Sequence, residues 1–424
     1  MSKSGRSIVL KGWVTNVKPL GKIVFMEVID DFNLRPVTVV IKKDLSEELW
    51  LKAKSIKLGS AVVVRGEIPP RIISKRGLEV HASDIDVVGE PRDIMPIDPS
   101  GKTGALLDTI LNYRYVALRL PEQRAVFRVR AKLLGIIRRY FEERGFLEVH
   151  TPKICGAGAE GGATLFEIDY FGMRAFLSQS PQLYKQMLMA SVPKVYEITP
   201  YFRAEKFNTT RHLNESWGVD VEIAFIKSHE DVMNVLEELI SYSIMKIIEE
   251  AKEELEILGV NLKPPRRPFK RLTYKEAVEI ARSKGHDISY GDDLDTKAEA
   301  LIGEAMAEEG YDAYFIIDYP WDAKPFYIMR TEGGLSASFD LDYKGMELAS
   351  GGQREHRYEV LLENIKLKGL NPGDFKFYLD AFKYGMPPHG GFGLGFDRLL
   401  MKILHRKNIR EVVLFPRDRF RLVP

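Results

Sequence analysis

Between His389 and Met401 the sequence reads HGGFGLGFDRLLM, a strand with glycine at every second position that runs into a helix near Asp397–Arg398. The two-residue period of a strand puts Gly391, Gly393 and Gly395 on one side. A flat group can press against such a face. The run lacks the GxxxxGK[ST] spacing of a phosphate-binding loop, and GFGLGF does not fit GxGxxG after a first strand–helix unit. The two commonest nucleotide folds are thereby excluded.

The rest of the chain agrees with that exclusion. Residues 8–88 contain five strand-like runs, IVLKGWV, IVFMEVI, VTVVI, AVVVRGEI and LEVHASDIDVV, with one helix around SEELWLKAKS. Five β-branched strands and one helix are the content of a small closed barrel such as the OB-fold. Residues 89–120 begin with GEPRDIMPIDPSGKTG and read as a linker or hinge. A helix follows from Pro121 to about Gly145, with Val126, Val129, Leu133, Leu134, Ile137 and Phe141 on one face. Further on, the pattern predicts strands over 164–226 interrupted by a short helix at PQLYKQMLMA, one long helix over 229–256, and helices at YKEAVEIARSKG and TKAEALIGEAMAEEG. It predicts strands at YFIIDYP, KPFYIMR, SASFDLDYKGMELASGG and HGGFGLGF, and helices of about 15 residues flanking the glycine run. The strands do not alternate strictly with helices, so the expected class is α+β: a barrel over 1–88 and a larger domain over 121–424.

Bulk properties narrow the setting. Lys and Arg number 62 against 60 Asp and Glu, so any basic surface is local and net charge argues neither for nor against nucleic acid. The single cysteine, Cys155, rules out an intrachain disulfide. No stretch approaches the ~20 apolar residues of a membrane span. A cytoplasmic location is the expectation.

Three clusters carry the chemistry. YFRAEKFNTTRHLNESWGVDVEIAF (201–225) crowds Arg203, Glu205, Arg211, His212, Glu215, Asp220 and Glu222 into a strand–loop–strand stretch. Alternation puts Arg203 with Glu205 on one strand face, and Asp220 with Glu222 on the next. Arginines there can hold phosphate through bidentate bonds; taken alone, a solvated hairpin with surface ion pairs reads as well. In FDLDYKGMELASGGQREHR (339–357), Glu347 follows a strand, and Ser350, Gly351 and Gly352 leave room for a ligand. A carboxylate beside small residues suits Mg²⁺ shared with ATP phosphates. The glycine strand is the third cluster.

In order and separation, GFLEVHTP ending at Pro152, FRAE followed by RHL, and GFGLGFDR resemble the three signature motifs of class II aminoacyl-tRNA synthetases. The likeness is strong over residues ~105–424 and looser over 8–88. It is greatest to the archaeal-type aspartyl subgroup, through QSPQLYKQMLM, RAEKFNTTRHLNE, ASGGQREHR, YGMPPHGGFGLG and LFPRDRFRL. The resemblance implies an antiparallel-sheet catalytic domain with an N-terminal OB-fold that reads the anticodon. It implies that Arg203 touches both the substrate carboxylate and the ATP α-phosphate, that Glu205 accepts from the adenine amino group, and that Arg211 holds the γ-phosphate with His212 and Leu213 beside the nucleotide. Arg398 would stack on adenine over Gly395, Phe396 and Asp397, and Glu347 with Ser350 would bind Mg²⁺. Arg203 and Arg398 are the expected catalytic pair.

For the amino acid, Lys185 and Arg354 match the family cations that meet a side-chain carboxylate. Glu160, Gln182, Asp220 and Ser350 match other positions of that site. A neutral amide could not repay a buried lysine for its lost hydration, so aspartate is expected over asparagine. For the tRNA, Phe25 fits a base-stacking aromatic. The family usually has Arg four residues later and Gln in the next strand; here stand Ile29 and, as the nearest polar candidate, Thr38. Lys75, Lys18, Lys22, Arg35, Arg71 and Arg76 could hold phosphates without reading bases. Strict members of the family tend to have His where Thr15 stands and Pro where Lys75 stands, and these two departures favour charging of tRNA(Asn) beside tRNA(Asp). A homodimer is also implied, with the helix over 122–144 as candidate surface. The alternatives are an enzyme strict for tRNA(Asp), an asparagine synthetase-like paralogue, and a non-catalytic tRNA-binding module. No chemistry is assigned to 259–325, which resembles an insertion between the second and third motifs.

Overall fold

The computed structural model describes residues 6–30, 33–69, 78–156 and 165–424. The chain divides into two compact units, one of Met1–Val129, Glu253–Val260 and Val423–Pro424, the other of Arg130–Lys252 and Asn261–Leu422.

In the first unit, β1 (Arg6–Leu20), β2 (Ile23–Ile29), β3 (Val37–Lys42), β4 (Ala61–Ile68) and β5 (Glu79–Gly89) close into a barrel of order β1-β2-β3-β5-β4. Alternation explains the closure. Val24, Met26 and Val28 point inward with no exposure, while Ile23, Phe25 and Glu27 between them are half-buried. The helix Glu47–Ser55 starts where the Ser46 hydroxyl accepts from the Leu49 amide, and it adds Leu49 and Ala53 to the barrel core. The predicted linker is not structureless. It contains the helices Leu107–Asn112 and Arg114–Ala117, because Val116 and Ala117 are buried in a small core with Ile97.

The second unit is built on one eight-stranded sheet. Its members in chain order are β6 (Leu147–Glu148), β10 (Lys194–Phe202), β11 (Glu215–Ala224), β12 (Lys270–Thr273), β13 (Ala313–Ile317), β14 (Ser338–Tyr343), β15 (Glu347–Gln353) and β16 (His389–Gly395). The spatial order is β12-β13-β14-β15-β16-β11-β10-β6. The six central strands are antiparallel, and the outermost pairs are parallel. A separate three-stranded sheet holds β7 (Ile154–Cys155), β8 (Glu167–Tyr170) and β9 (Met173–Leu177). The helix His229–Glu250 opens with a capping box between Ser228 and Asp231. It packs on β14, β15 and β16 through a fully buried row that includes Val232, Leu236 and Ile240.

Several expectations change. The predicted helix 229–256 breaks at Ala251 (φ −119°, ψ 32°) and resumes as Lys252–Leu258. KPFYIMR is no strand; only isolated bridges join Ile328 to Arg354 and Arg330 to Ser336, and Phe326, Tyr327 and Ile328 fill a core against the helices Tyr358–Leu367 and Lys376–Ala381. The helices flanking the glycine run are short, with Phe396–Ile403 only eight residues long. The insertion-like segment 259–325 is no appendage: β12 and β13 extend the main sheet. On the helix Pro121–Glu142, Val126, Val129, Leu133, Ile137 and Phe141 are buried and Leu134 is half-buried.

Candidate active site

Alternation sorts β16 into two faces. Phe392 and Leu394 are buried, with no more than 1% exposure, while Gly393 and Gly395 line a cavity of about 320 Å³. Register carries the cavity face across the sheet: Gly393 pairs with Asp220 of β11 and with Ser350 of β15. Gln182, Tyr201, Arg203, Glu347, Arg354 and Arg398 complete the wall. Gly391 serves another purpose. A Cβ there would lie 2.0 Å from the Val221 carbonyl and 2.2 Å from the Glu222 carboxylate, so this glycine makes room for a buried charge. Gly351 is also set by packing, since its Cβ would meet Phe339 at 2.5 Å and the Gly391 carbonyl at 2.6 Å. Glu347 follows β14 after a short turn and opens β15, and Ser350, Gly351 and Gly352 lie within β15.

One end of the site is a buried charge cluster. Lys185, 2% exposed, donates to Asp220 Oδ1 at 2.9 Å and to the Phe392 carbonyl at 3.0 Å, with Glu222 Oε2 at 3.6 Å. Arg354 donates from Nε to Glu222 Oε1 at 2.9 Å and from Nη2 to Gln182 Oε1 at 3.4 Å. Two cations and two carboxylates thus neutralise each other out of water, which lowers the cost of burying each. Arg354, Asp220 and Gln182 face the cavity, whereas Lys185 and Glu222 stand behind it.

The other end is cationic. β10 stops at Phe202, so Arg203 and Glu205 do not share a strand face; they lie on the loop before β11. Asn214 donates to the carbonyls of both and pins that loop. Burial pushes the Glu205 carboxyl up, against the pull of Arg203 and Arg398. Burial, followed by repulsion from Arg398, Arg211 and Arg203, holds His212 down at about 4. Its ring is therefore neutral at pH 7, with Nδ1 2.6 Å from the Thr209 hydroxyl. Arg398 donates to the Glu347 carbonyl at 3.2 Å.

Some expected residues stand elsewhere. Asp397 is buried, accepts from Arg130 at 2.5 Å and from the Trp217 amide at 2.8 Å, and does not line the cavity. Phe396 is buried under the Arg130 guanidinium, and Leu213 is buried as well. Arg211, His212 and Glu205 are outside the cavity wall. Both Nη atoms of Arg211 are engaged by Glu299, at 2.5 and 3.1 Å. Glu160 and Lys75, with Arg71 and Arg76, lie outside the described residues. On the barrel, Phe25 is half-buried on β2, Thr38 is 8% exposed on β3, and Ile29 is fully buried.

The sequence reading missed Asp340 and Lys324, and it named Glu222 without giving it a role. Asp340 Oδ2 accepts from Lys324 at 2.9 Å, while its buried Oδ1 meets no hydrogen-bond donor among the described residues. Burial, then repulsion from Asp340, raises the Glu347 carboxyl. The signal lay in FDLD, where acids alternate with apolar residues on a strand whose side chains are all buried.

A family model described as tRNA synthetases class II (D, K and N) matches residues 107–419, and an OB-fold nucleic acid binding domain matches 8–88. The chain belongs to the class II tRNA synthetases. Its relatives include an aspartate–tRNA(Asp) ligase of Pyrococcus furiosus, 49% identical over 99% of this chain and 97% of that one. An aspartate–tRNA(Asp/Asn) ligase of Methanopyrus kandleri is 46% identical over 100% and 97%. Among solved structures, the asparaginyl-tRNA synthetase of Pyrococcus horikoshii complexed with asparaginyl-adenylate superposes with a TM-score of 0.91 at 34% identity, covering 99% of this synthetase and 96% of that chain. Aspartyl-tRNA synthetase from Entamoeba histolytica gives 0.87 at 29%, covering 99% and 90%.

Proposed function

We propose that this synthetase is an aspartate–tRNA ligase, which activates aspartate with ATP and transfers it to the 3′ end of tRNA(Asp). The observation that carries the choice of amino acid is the buried Lys185–Asp220–Glu222–Arg354 cluster, with Arg354 and Asp220 facing the cavity. Arg354 offers a guanidinium to the substrate side-chain carboxylate, and Asp220 an acceptor to its ammonium. Lys185 acts from behind by offsetting Asp220 and Glu222. Asparagine offers Arg354 no charge, so it forgoes the charge-assisted bond that the aspartate carboxylate accepts from the guanidinium.

In the first step a carboxylate oxygen of aspartate attacks the α-phosphorus, the bond to the β,γ-pyrophosphate breaks, and aspartyl-adenylate forms. The nucleophile is already anionic, so no general base is required. Arg203 neutralises charge on the α-phosphoryl oxygens, and Arg398 lies against the nucleotide over Gly395. In the second step a terminal ribose hydroxyl of the tRNA attacks the acyl carbon and AMP leaves. Glu205 and the neutral His212 belong to the nucleotide side in this reading.

Magnesium fits the residues present. Among the described residues no three His, Cys, Asp or Glu side chains form a metal cluster, but Mg²⁺ at a nucleotide needs only one or two carboxylates plus phosphate oxygens. Asp340, with its unpartnered Oδ1, and Glu347, with Ser350 on the same strand, would hold it. Bound there, it would supply charge neutralisation to the phosphates.

The proposed tRNA range includes tRNA(Asn). Ile29 is fully buried, so the side chain at the position where the family usually has Arg is turned away from any bound base, and Thr38 is nearly buried. Phe25 stacks on a base but does not read its edge. The test is charging of purified tRNA(Asp) and tRNA(Asn) transcripts with radiolabelled aspartate. Both should be charged, with kcat/KM within about tenfold, or about 1.4 kcal/mol of discrimination. A preference for tRNA(Asp) above a hundredfold would contradict the wider range, and charging of neither would contradict the ligase.

A homodimer is also proposed, through the helix Pro121–Glu142 and the segment around Pro152. Leu147 and Ile154 in that segment are about half exposed, and β6 is an edge strand. Sedimentation equilibrium should give twice the chain mass; a monomer at micromolar concentration would refute it.

A further inference from the structure

Glu299 stands outside every role assigned so far. It sits in the first turn of the helix Thr296–Glu308, within the segment between the second and third motifs, yet it is 4% exposed and its carboxylate reaches Arg211 and the Glu347 amide. Its two oxygens take both Nη atoms of Arg211, at 2.5 and 3.1 Å, in a fork-on-fork pair. Oε2 also accepts from the backbone amide of Glu347 at 3.3 Å. One carboxylate thus ties the loop that carries Arg211 to the strand that carries Glu347.

The helix is held where this contact requires. Gly303, one turn further along, lies against the turn between β14 and β15. A Cβ at 303 would sit 2.4 Å from Gly345 Cα and 2.6 Å from its nitrogen. That closeness fixes the helix against the β14–β15 turn, and Glu299 with it. Arg211 comes from the Lys206–Asn214 loop, which has no strand or helix of its own. Near it lie Arg203 and Arg398, which share with it the depression of His212. An arginine on a loop among other cations is pushed outward by charge and by side-chain entropy. The ion pair with Glu299 opposes both.

We propose that Glu299 is a positioning residue for ATP: it fixes the Arg211 guanidinium in the orientation that meets the terminal phosphate, so the ordering cost is met before the nucleotide arrives. The proposal rests on the reading of Arg211 as a phosphate-binding residue. It gives the segment 259–325 a part in nucleotide binding, exerted through one side chain.

The test is ATP–pyrophosphate exchange with wild type, Glu299→Ala, Glu299→Asp, Arg211→Ala and the Arg211→Ala/Glu299→Ala double variant, with melting temperatures recorded for each. Glu299→Ala should raise KM for ATP about tenfold, while KM for aspartate stays within threefold. Glu299→Asp, which keeps the charge, should recover part of the loss. The double variant should be no worse than Arg211→Ala, because a residue that acts only through Arg211 has nothing left to position. A loss in the double variant equal to the product of the single losses would assign Glu299 a purely structural role and overturn the proposal. An ATP KM that is unchanged or lower in Glu299→Ala, with Arg211→Ala impaired, would overturn it while leaving Arg211 in place. If Arg211→Ala itself binds ATP normally, the reading of Arg211 falls, and the role of Glu299 falls with it.

Discussion

At the scale of single residues, selectivity follows from what is buried with what. Lys185 has no direct view of the cavity, yet it is surrounded by two carboxylates and a carbonyl within 3.6 Å. Removing one member of such a pair leaves an unbalanced buried charge, at a cost of roughly 3–5 kcal/mol. Lys185→Met therefore leaves Asp220 and Glu222 with only Arg354 to offset them, and the site becomes hostile to another carboxylate. KM for aspartate should rise about a hundredfold or more, with KM for ATP within threefold, both measured by pyrophosphate exchange. An unchanged aspartate KM in a folded variant would remove Lys185 from the account. The residue types at this site were legible because Lys185, Arg354 and Asp220 stand in distinctive motifs. Their pairing was not: Glu222 joins Lys185 to Arg354 across positions 185, 222 and 354, and no local pattern reports that closure. Arg211 could likewise be read as a phosphate arginine, but its partner lies 88 residues away in a segment without a motif of its own.

At the scale of elements, periodicity read the strands well and the loops poorly. The five barrel strands and their one helix and the glycine strand were all visible, because period is local. KPFYIMR looked like a strand because it is apolar, yet it fills a core between helices, a choice made by tertiary packing. The glycine strand carries a further lesson. Gly393 and Gly395 open the site as the alternation suggested, whereas Gly391 is set by a carboxylate behind it. Gly391→Ala places a methyl within 2.2 Å of both the Val221 carbonyl and the Glu222 carboxylate. Overpacking of this kind costs about 1–3 kcal/mol or more. The variant should melt several degrees below wild type and lose aspartate activation. Gly393→Ala meets nothing nearer than Asp220 at 3.4 Å, so it should keep the wild-type melting temperature. Equal melting temperatures for Gly391→Ala and wild type would contradict this division of labour.

At the scale of the whole molecule, a barrel matched by a nucleic-acid-binding family and a sheet enclosing a nucleotide-sized cavity belong to one chain. The broad class was legible because the three motifs occur in order. The contribution of residues 259–325 to the main sheet was hidden, since two short strands among helices carry no signature of the sheet they join. Similarity bears on the amino acid as well: the Pyrococcus furiosus and Methanopyrus relatives, 49% and 46% identical over nearly the whole chain, are aspartate ligases, whereas the asparaginyl enzyme of Pyrococcus horikoshii is 34% identical. The proposed physical basis of that choice is the charge cluster. The most direct test is ATP–pyrophosphate exchange by the wild-type protein with aspartate or asparagine as the only amino acid. The account predicts exchange with aspartate at least about a hundredfold above that with asparagine; equal exchange with the two amino acids would contradict it.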